Sequence, residues 1–158
     1  MSMYGGYNGV SSIRWAGQDD IDDIIKIRNE YIETDMLTDR TKEFIRNRLG
    51  KSCFVAYCEN IGIAIMDVIE IMPNLTGMTG KVGYIQCVYV KKQYRKRGVA
   101  TELIKMLQRK GYELGLDYLE LKASRMGKPL YRKLGFTKVF NWETRMKFIY
   151  VREDDLET

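Results

Sequence analysis

A short basic turn in the middle of the chain carries the residues best suited to bind an anion. The turn reads Arg95-Lys96-Arg97-Gly98, and a helical pattern begins directly after it at Val99. The first N–H groups of a helix lack intrahelical acceptors and lie at the positive end of the helix dipole, so they bind phosphates readily. Glycine has no Cβ, which lets an anion approach the backbone closely. The turn therefore predicts a phosphate or pyrophosphate site, although a solvated basic loop would have the same composition.

A second segment with chemical character lies further along the chain, where Tyr131 is followed by Leu134-Gly135-Phe136. Taken together, the two segments resemble the acetyl-coenzyme A signature of the GNAT N-acetyltransferase superfamily. The pattern Arg95-x-x-Gly98-x-Ala100 is similar to the pyrophosphate loop of that superfamily. The Tyr131 segment is similar to its late helix, whose tyrosine commonly serves as general acid. The resemblance spans about residues 12–150.

The resemblance implies a fold, a co-substrate and a set of binding residues. The fold class is α/β (α+β), with a central, twisted, mixed and mostly antiparallel sheet of about seven strands, about four flanking helices and splayed central strands. Acetyl-CoA would lie between those strands, with its pantetheine amides bonded to the backbone like an added strand. The expected cofactor-binding residues are Val88, Tyr89, Val90, Arg95, Lys96, Arg97, Gly98, Val99, Ala100, Thr101, Ser124 and Lys128. For Ser124 the alternative is a cap on the next turn, with Pro129 in the first turn of the helix that follows.

Acetyl transfer from a thioester to an amine needs a neutral amine, a donor for the oxyanion and a proton for the departing thiolate. Tyr131 fits the last role, with a packing role as the alternative. The sequence has no histidine, which excludes an imidazole base and any His-containing triad. Many members of the superfamily carry a glutamate on the strand before the loop, but this strand has Gln86 and no carboxylate. Asp67 and Glu70 on the preceding strand are candidates for the base, or are solvated surface carboxylates.

The acceptor pocket implied by the resemblance lies where the first two predicted helices meet, at residues 31–37. Carboxylates there would attract a cationic amine, or would be ordinary loop residues. The expected acceptor-side residues are Tyr31, Glu33, Asp35, Asp67 and Gln86. The sequence thus predicts an acetyl-CoA-dependent N-acetyltransferase in which the primary amine of a small molecule or peptide attacks directly. The alternative is a noncatalytic domain that binds coenzyme A as a regulatory ligand.

Composition narrows the range of partners. The formal charge is +5, and the basic residues concentrate between Lys91 and Lys138, which favours one anionic ligand over a nucleic acid. Neither a nucleic acid, a membrane nor a metal is expected, and a homodimer is left open. The three cysteines, Cys53, Cys58 and Cys87, have no CxxC spacing and suit buried, reduced thiols in a cytoplasmic protein.

Hydrophobic periodicity predicts the helices and strands that position these residues. They are expected to form a single domain at 12–152, with a flexible lead-in at 1–11 and an acidic tail at 153–158. The expected strands are Ser12–Ala16, Cys53–Cys58, Ile61–Ile71, Val82–Val90, Tyr118–Lys122, Phe136–Phe140 and Arg145–Val151. The expected helices run from Asp19 or Asp20 to Ile32, then over Thr38–Leu49, Gly98–Leu114 and Pro129–Leu134. The second helix is expected to turn Phe44, Ile45 and Leu49 inward.

Overall fold

The computed structural model of the chain describes residues 12–139 and 144–153, and the expectations for the lead-in, for Phe140 and for the tail beyond residue 153 fall outside them. The strands are β1 (Ile13–Trp15), β2 (Cys53–Cys58), β3 (Gly62–Glu70), β4 (Lys81–Val90) and β5 (Leu119–Leu121). The α-helices are α1 (Ile21–Ile32), α2 (Thr38–Arg48), α3 (Val99–Glu113) and α4 (Lys128–Lys133). Short 3-10 turns occupy Gln18–Asp20 and Lys92–Tyr94.

The five strands form one sheet whose spatial order follows the chain. Neighbours from β1 to β4 are antiparallel, and β5 joins β4 in parallel. A parallel pair needs a long crossover connection, and α3 provides it here. The expected mixed and mostly antiparallel sheet with four helices is therefore confirmed.

Helices cover the sheet on both sides, so β2 and β3 consist largely of continuous buried runs. Alternate residues of β2 contribute to two separate core clusters. Cys53, Val55 and Tyr57 pack with isoleucines of α1 and α2, on what we call the α1/α2 face. Phe54, Ala56 and Cys58 pack with α3, on what we call the α3 face.

One expected core residue of α2 lies outside the core. Phe44 is exposed, and the Arg48 guanidinium stacks 4.2 Å from its ring centroid, so the prediction that it faces inward is wrong. The side of α2 that meets α1 is set by Thr38 and Thr41, which accept hydrogen bonds from Asn29 (2.9 Å) and Arg28 (3.1 Å). Ile45 lies four residues after Thr41, on the same side of α2, and is buried. Phe44 lies outside this row of residues and is therefore not directed at α1. Leu49 is half-buried against the core, as expected.

The two strands predicted last in the chain are also wrong. Residues 136–139 and 144–152 adopt no regular secondary structure, so the described sheet has five strands instead of seven. Alternating apolar residues form a strand only where a neighbour supplies packing and ladder hydrogen bonds. Phe148, Ile149 and Tyr150 are 70–83% exposed, and the ring of Phe148 packs on that of Tyr150 in the same segment, 5.0 Å between centroids.

Candidate active site

β4 and β5 are paired over only three residues and separate beyond them. Gly83, Tyr84 and Ile85 lie opposite the three residues of β5, whereas β4 continues to Val90 in register with β3 alone. Beyond Ile85 the outer edge of β4 has no strand partner among the described residues, so backbone groups there other than the Val90 carbonyl, which accepts from Arg95, are available to an extended ligand. We call the space beside residues 86–90 the opening. The expected divergence of two strands is found here between β4 and β5, and β5 is the edge strand of the described sheet.

A β-bulge marks the start of the opening. Ile65 lies opposite Cys87 and Met66 lies opposite Ile85, so Gln86 is an extra residue on β4. A bulge bends its strand and increases the local twist. This irregularity explains why β4 turns away from β5 directly after Ile85.

The basic turn connects the opening to the N-terminus of α3. Gly98 (φ +80°) and Lys96 (φ +63°) both have a left-handed backbone conformation. No side chain caps α3. A Cβ built on Gly98 would meet no atom within 4 Å, so the space beside the helix N-terminus is open to a ligand.

The predicted cofactor residues around the turn differ in how far they are buried. Val88 and Val90 pack on the α3 face, and Val99 is buried there. Lys96 is exposed, while Ala100 and Thr101 are half-buried. Of these residues, Lys96 alone has an exposed side chain, and its charge is accessible to a ligand.

The two arginines of the turn stack on aromatic rings. The Arg95 Nε donates to the Val90 carbonyl (2.8 Å), and its guanidinium lies 5.4 Å from the Tyr89 ring centroid. The Arg97 guanidinium lies 5.7 Å from the Tyr94 ring centroid. Arg95 therefore links the turn to the end of β4. The position of Arg95 in the sequence motif does not predict this contact.

Tyr131 lies on α4 with its ring half-buried. The ring packs edge-on against Phe136 at 5.8 Å, and Gly127 makes room for it, because a Cβ there would lie 3.0 Å from Tyr131 Cε2. Burial raises the pKa of Tyr131, and the nearby Tyr31 and Cys87 raise it further. The phenol therefore remains protonated at neutral pH.

Tyr131 also lines a groove of about 1200 Å³ between α3, β5, α4 and residues 135–139. Lys128 lines the same groove. Ser124 shapes the start of α4, because its Oγ and its carbonyl both accept the Gly127 N–H at 3.1 Å. These bonds close the turn before α4, as the turn-cap alternative predicts, whereas no side chain caps α4 itself.

The acceptor-side residues divide into two groups. The ring of Tyr31, at the end of α1, lies 5.6 Å from that of Tyr89, so it stands beside the opening. Glu33 and Asp35 are exposed in the connection between α1 and α2. Glu33 ends α1 in a left-handed conformation (φ 58°), and the Asp35 carbonyl accepts the Thr38 N–H (3.1 Å).

Asp67 and Gln86 meet across β3 and β4. Asp67 is half-buried, whereas Glu70 on the same strand is exposed. Burial raises the pKa of Asp67, while hydrogen bonds from the Gln86 amide and the Cys53 thiol, and the Arg48 charge, lower it. The Asp67 Oδ1 atom is buried with no hydrogen-bond partner among the described residues. The sequence predicted each of these residues separately as part of the acceptor site. It did not predict that they interact, because no sequence pattern indicates the bulge that brings them together.

The three cysteines are buried free thiols, as expected. Burial raises the pKa of Cys53 and Cys87 to about 12 and that of Cys58 to about 11. Because the thiolate is the reactive species, we expect iodoacetamide at pH 8 to leave the native protein unmodified and to alkylate all three after unfolding. Mass spectrometry of both samples measures this, and labelling of Cys87 in the native protein would contradict it.

Among the residues that the structure describes, no group of three or more histidine, cysteine, aspartate or glutamate side chains could hold a metal ion. In the same residues, no helix is long and apolar enough to cross a membrane.

Comparisons with known proteins agree on one family. Residues 50–138, which include the opening, the basic turn and Tyr131, match the family model described as acetyltransferase (GNAT) domain. The chain is 31% identical over 140 residues to an N-alpha-acetyltransferase of Saccharolobus solfataricus, covering 81% of each protein. It is 28% identical over 134 residues to N-alpha-acetyltransferase 30 of Dictyostelium discoideum, covering 82% of this chain and 69% of that protein.

A solved structure extends the agreement to the fold and the co-substrate. A predicted acetyltransferase of Clostridium acetobutylicum, crystallised with acetyl-CoA, is 26% identical and matches with a TM-score of 0.73 over 85% of this chain and 94% of the other. The chain therefore belongs to the GNAT acetyltransferase family and is an N-acetyltransferase that uses acetyl-CoA.

Proposed function

We propose that this enzyme acetylates the α-amine of peptide or protein N-termini by direct attack, with Tyr131 protonating the departing thiolate. The main support is the Tyr131 phenol on α4, which is half-buried and whose raised pKa keeps it protonated at neutral pH. The relatives named as N-alpha-acetyltransferases support the substrate class.

The opening and the basic turn fit acetyl-CoA. The uncapped N-terminus of α3 and the free space beside Gly98 suit a pyrophosphate, whose charge Lys96 and Arg97 would complement. The outer backbone edge of residues 86–90 suits an extended chain that carries amides. Lys128 would reach the phosphates from the start of α4. Acetyl-CoA supplies a thioester that gives up its acetyl group and releases its sulfur as a thiolate.

The residues of this chain have three tasks in the transfer. A backbone N–H near Val88 or Tyr89 would donate to the carbonyl oxygen as negative charge develops on it. As the new N–C bond forms and the C–S bond breaks, Tyr131 gives its phenolic proton to the sulfur. The amine nitrogen releases one proton to water, and Tyr131 regains a proton from water, so the charges balance.

The chemistry of the site favours an α-amine over a lysine side chain. An α-amino group has a pKa of about 7.7–8.0, against about 10.4 for lysine, so much more of it is neutral near pH 7. Such a substrate needs no strong base, which suits a chain without histidine and a β4 strand without a carboxylate. Tyr31 and Tyr89 would wall the pocket, and the exposed Glu33 and Asp35 would attract the positive N-terminus.

A matched set of peptides tests this proposal. One peptide has a free α-amine, the second is the same sequence formylated at the N-terminus, and a third is formylated but contains a lysine. We expect thiol release only with the first, and fragment mass spectra that locate the acetyl group on its first residue. Equal turnover with the formylated lysine peptide, or no turnover with any peptide, would contradict the proposal.

A prediction about the turn concerns salt. Arg95→Ala is expected to weaken acetyl-CoA binding, because it removes a positive charge and the contact to the Val90 carbonyl. Salt screens the electrostatic part of this loss, because the Debye length falls from about 30 Å at 0.01 M to about 3 Å at 1 M. The difference in acetyl-CoA affinity between the variant and the native enzyme should therefore be smaller at 1 M salt. Calorimetric titrations at both salt concentrations measure it. A loss that does not change with salt would show that Arg95 acts only by packing.

A further inference from the structure

We infer that Arg95, the first residue of the basic turn, is also a positioning residue for the acceptor, because it holds the Tyr89 ring against the Tyr31 ring. These three side chains form a row, which we call the stack, and it joins the acetyl-CoA turn to the wall of the acceptor pocket. The inference rests on the proposed function, since the wall is that of the peptide pocket. It gives a residue of the co-substrate motif an effect on peptide binding.

The Arg95 side chain is anchored at the end of β4. Its Nε donates to the Val90 carbonyl at 2.8 Å, which fixes the base of the guanidinium group. The guanidinium carbon lies 5.4 Å from the centroid of the Tyr89 ring, within the range of a cation–π contact. One hydrogen bond and one ring contact thus connect Arg95 to two consecutive residues of β4.

The Tyr89 ring contacts both the turn and the end of α1. Its centroid lies 5.6 Å from that of Tyr31, with 48° between the ring planes. Tyr89 is half-buried and packs against the core cluster on the α1/α2 face, so its backbone and the base of its ring are held. A change at Arg95 therefore reaches Tyr31 through one intervening ring.

Tyr31 is an exposed side chain on a helix end that is itself held firmly. It lies in the last turn of α1 and is 46% exposed. Asn29 and Arg28 in the same turn donate hydrogen bonds to α2, at 2.9 and 3.1 Å. Disruption of the stack is therefore expected to leave the helix in place and to free only the Tyr31 ring.

A ring that moves freely at the wall weakens peptide binding. Ordering a side chain on binding costs free energy, and a side chain already held in its bound position avoids that cost. The stack holds the Tyr31 ring before the peptide arrives. A guanidinium group has five N–H donors, of which Val90 takes one, so Arg95 can hold Tyr89 and still donate to a pyrophosphate.

Steady-state kinetics on the full chain, with a peptide that has a free α-amine, test the inference. Arg95→Ala is expected to raise the peptide KM about fivefold at saturating acetyl-CoA, the size of one cation–π contact. Tyr89→Leu should raise it at least as much, whereas Tyr89→Phe should recover most of this loss because the ring remains. In the Tyr89→Leu background, Arg95→Ala should raise the peptide KM no further, because Arg95 acts through the ring.

Arg97→Ala is the matched control. Arg97 lies in the same turn and stacks on Tyr94 at 5.7 Å, so it has the same charge and the same kind of contact but is not part of the stack. Its removal should raise the acetyl-CoA KM and leave the peptide KM at the native value. An unchanged peptide KM in Arg95→Ala, an equal rise in Arg97→Ala, or additive losses in the double variant would each overturn the inference.

NMR of the protein with isotopically labelled tyrosine rings tests the stack without a peptide. The Tyr31 signal, assigned with Tyr31→Phe, should carry a ring-current shift from Tyr89, and should lose it in Arg95→Ala and Tyr89→Leu but not in Arg97→Ala. A Tyr31 signal that stays in place in Arg95→Ala would overturn the inference. Failure of the proposed function would appear differently, as a native enzyme that does not acetylate the peptide while its Tyr31 signal still responds to Arg95→Ala.

Discussion

Replacing Tyr131 by phenylalanine is expected to lower turnover by about 10²–10⁴-fold, the usual contribution of general acid catalysis. Phenylalanine keeps the edge-on packing against Phe136 and the space that Gly127 provides, but it removes the proton donor. Acetyl-CoA affinity should therefore change little. Single-turnover kinetics measure the chemical step without interference from product release.

Tyr112→Phe is the matched control, because Tyr112 lines the same groove but is 88% exposed on α3. It should keep native turnover. The pH profile gives a second check. Since burial raises the pKa of Tyr131, the native enzyme should lose activity through this group only above the ordinary tyrosine range near pH 10, and Tyr131→Phe should lack that limb. Near-native turnover of Tyr131→Phe would show that the tyrosine only packs.

Gly98→Glu is expected to reduce acetyl-CoA affinity by about 10²–10³-fold. A carboxylate at this point would lie within a few ångströms of the pyrophosphate, where like charges repel by about 4 kcal/mol at an effective dielectric of 20. The side chain would also fill the space that is open beside the helix N-terminus. Isothermal titration calorimetry of the purified variant measures the effect.

Gly115→Glu controls for backbone strain in this experiment. Gly115 follows the other end of α3, is also left-handed (φ +68°) and also has no atom within 4 Å of a built Cβ. Both variants place a glutamate in a left-handed conformation, so both should be destabilised by roughly 1–2 kcal/mol. Only Gly98→Glu should lose acetyl-CoA. Equal affinity of the two variants would contradict a pyrophosphate site at Gly98.

The sequence predicted the fold best where burial produces a clear period. The isoleucines of α1, the two-sided core strand β2 and the end of α3 before Gly115 all follow from local patterns. The prediction failed for Phe44, because the rotation of α2 depends on contacts made by Thr38 and Thr41 with another helix. It failed for residues 145–151, because an alternating pattern does not specify which edge will pair with it.

In the candidate site, too, the sequence predicted some features and could not predict others. Gly98 could be selected from its type and spacing, and the structure gives it the left-handed backbone that favours glycine. The contact between Asp67 and Gln86 could not be predicted, because a one-residue bulge sets which side chains meet across β3 and β4. The folding back of Arg95 onto Val90 is likewise a tertiary contact without a sequence pattern.

The short pairing between β4 and β5 has a consequence for the order in which the sheet assembles. β2, β3 and β4 follow one another as antiparallel neighbours, so their contacts are close in sequence and form quickly. β5 can dock only after α3 has crossed the sheet. It pairs with β4 over three residues, and just before it the Asp117 N–H donates to the Lys81 carbonyl and the Tyr118 carbonyl accepts the Gly83 N–H. A ligand that binds only the native state stabilises it by about 2.7 kcal/mol at 100 times its Kd. Acetyl-CoA bound in the opening would thus help to hold the late-docking β5 against the strands that fold first.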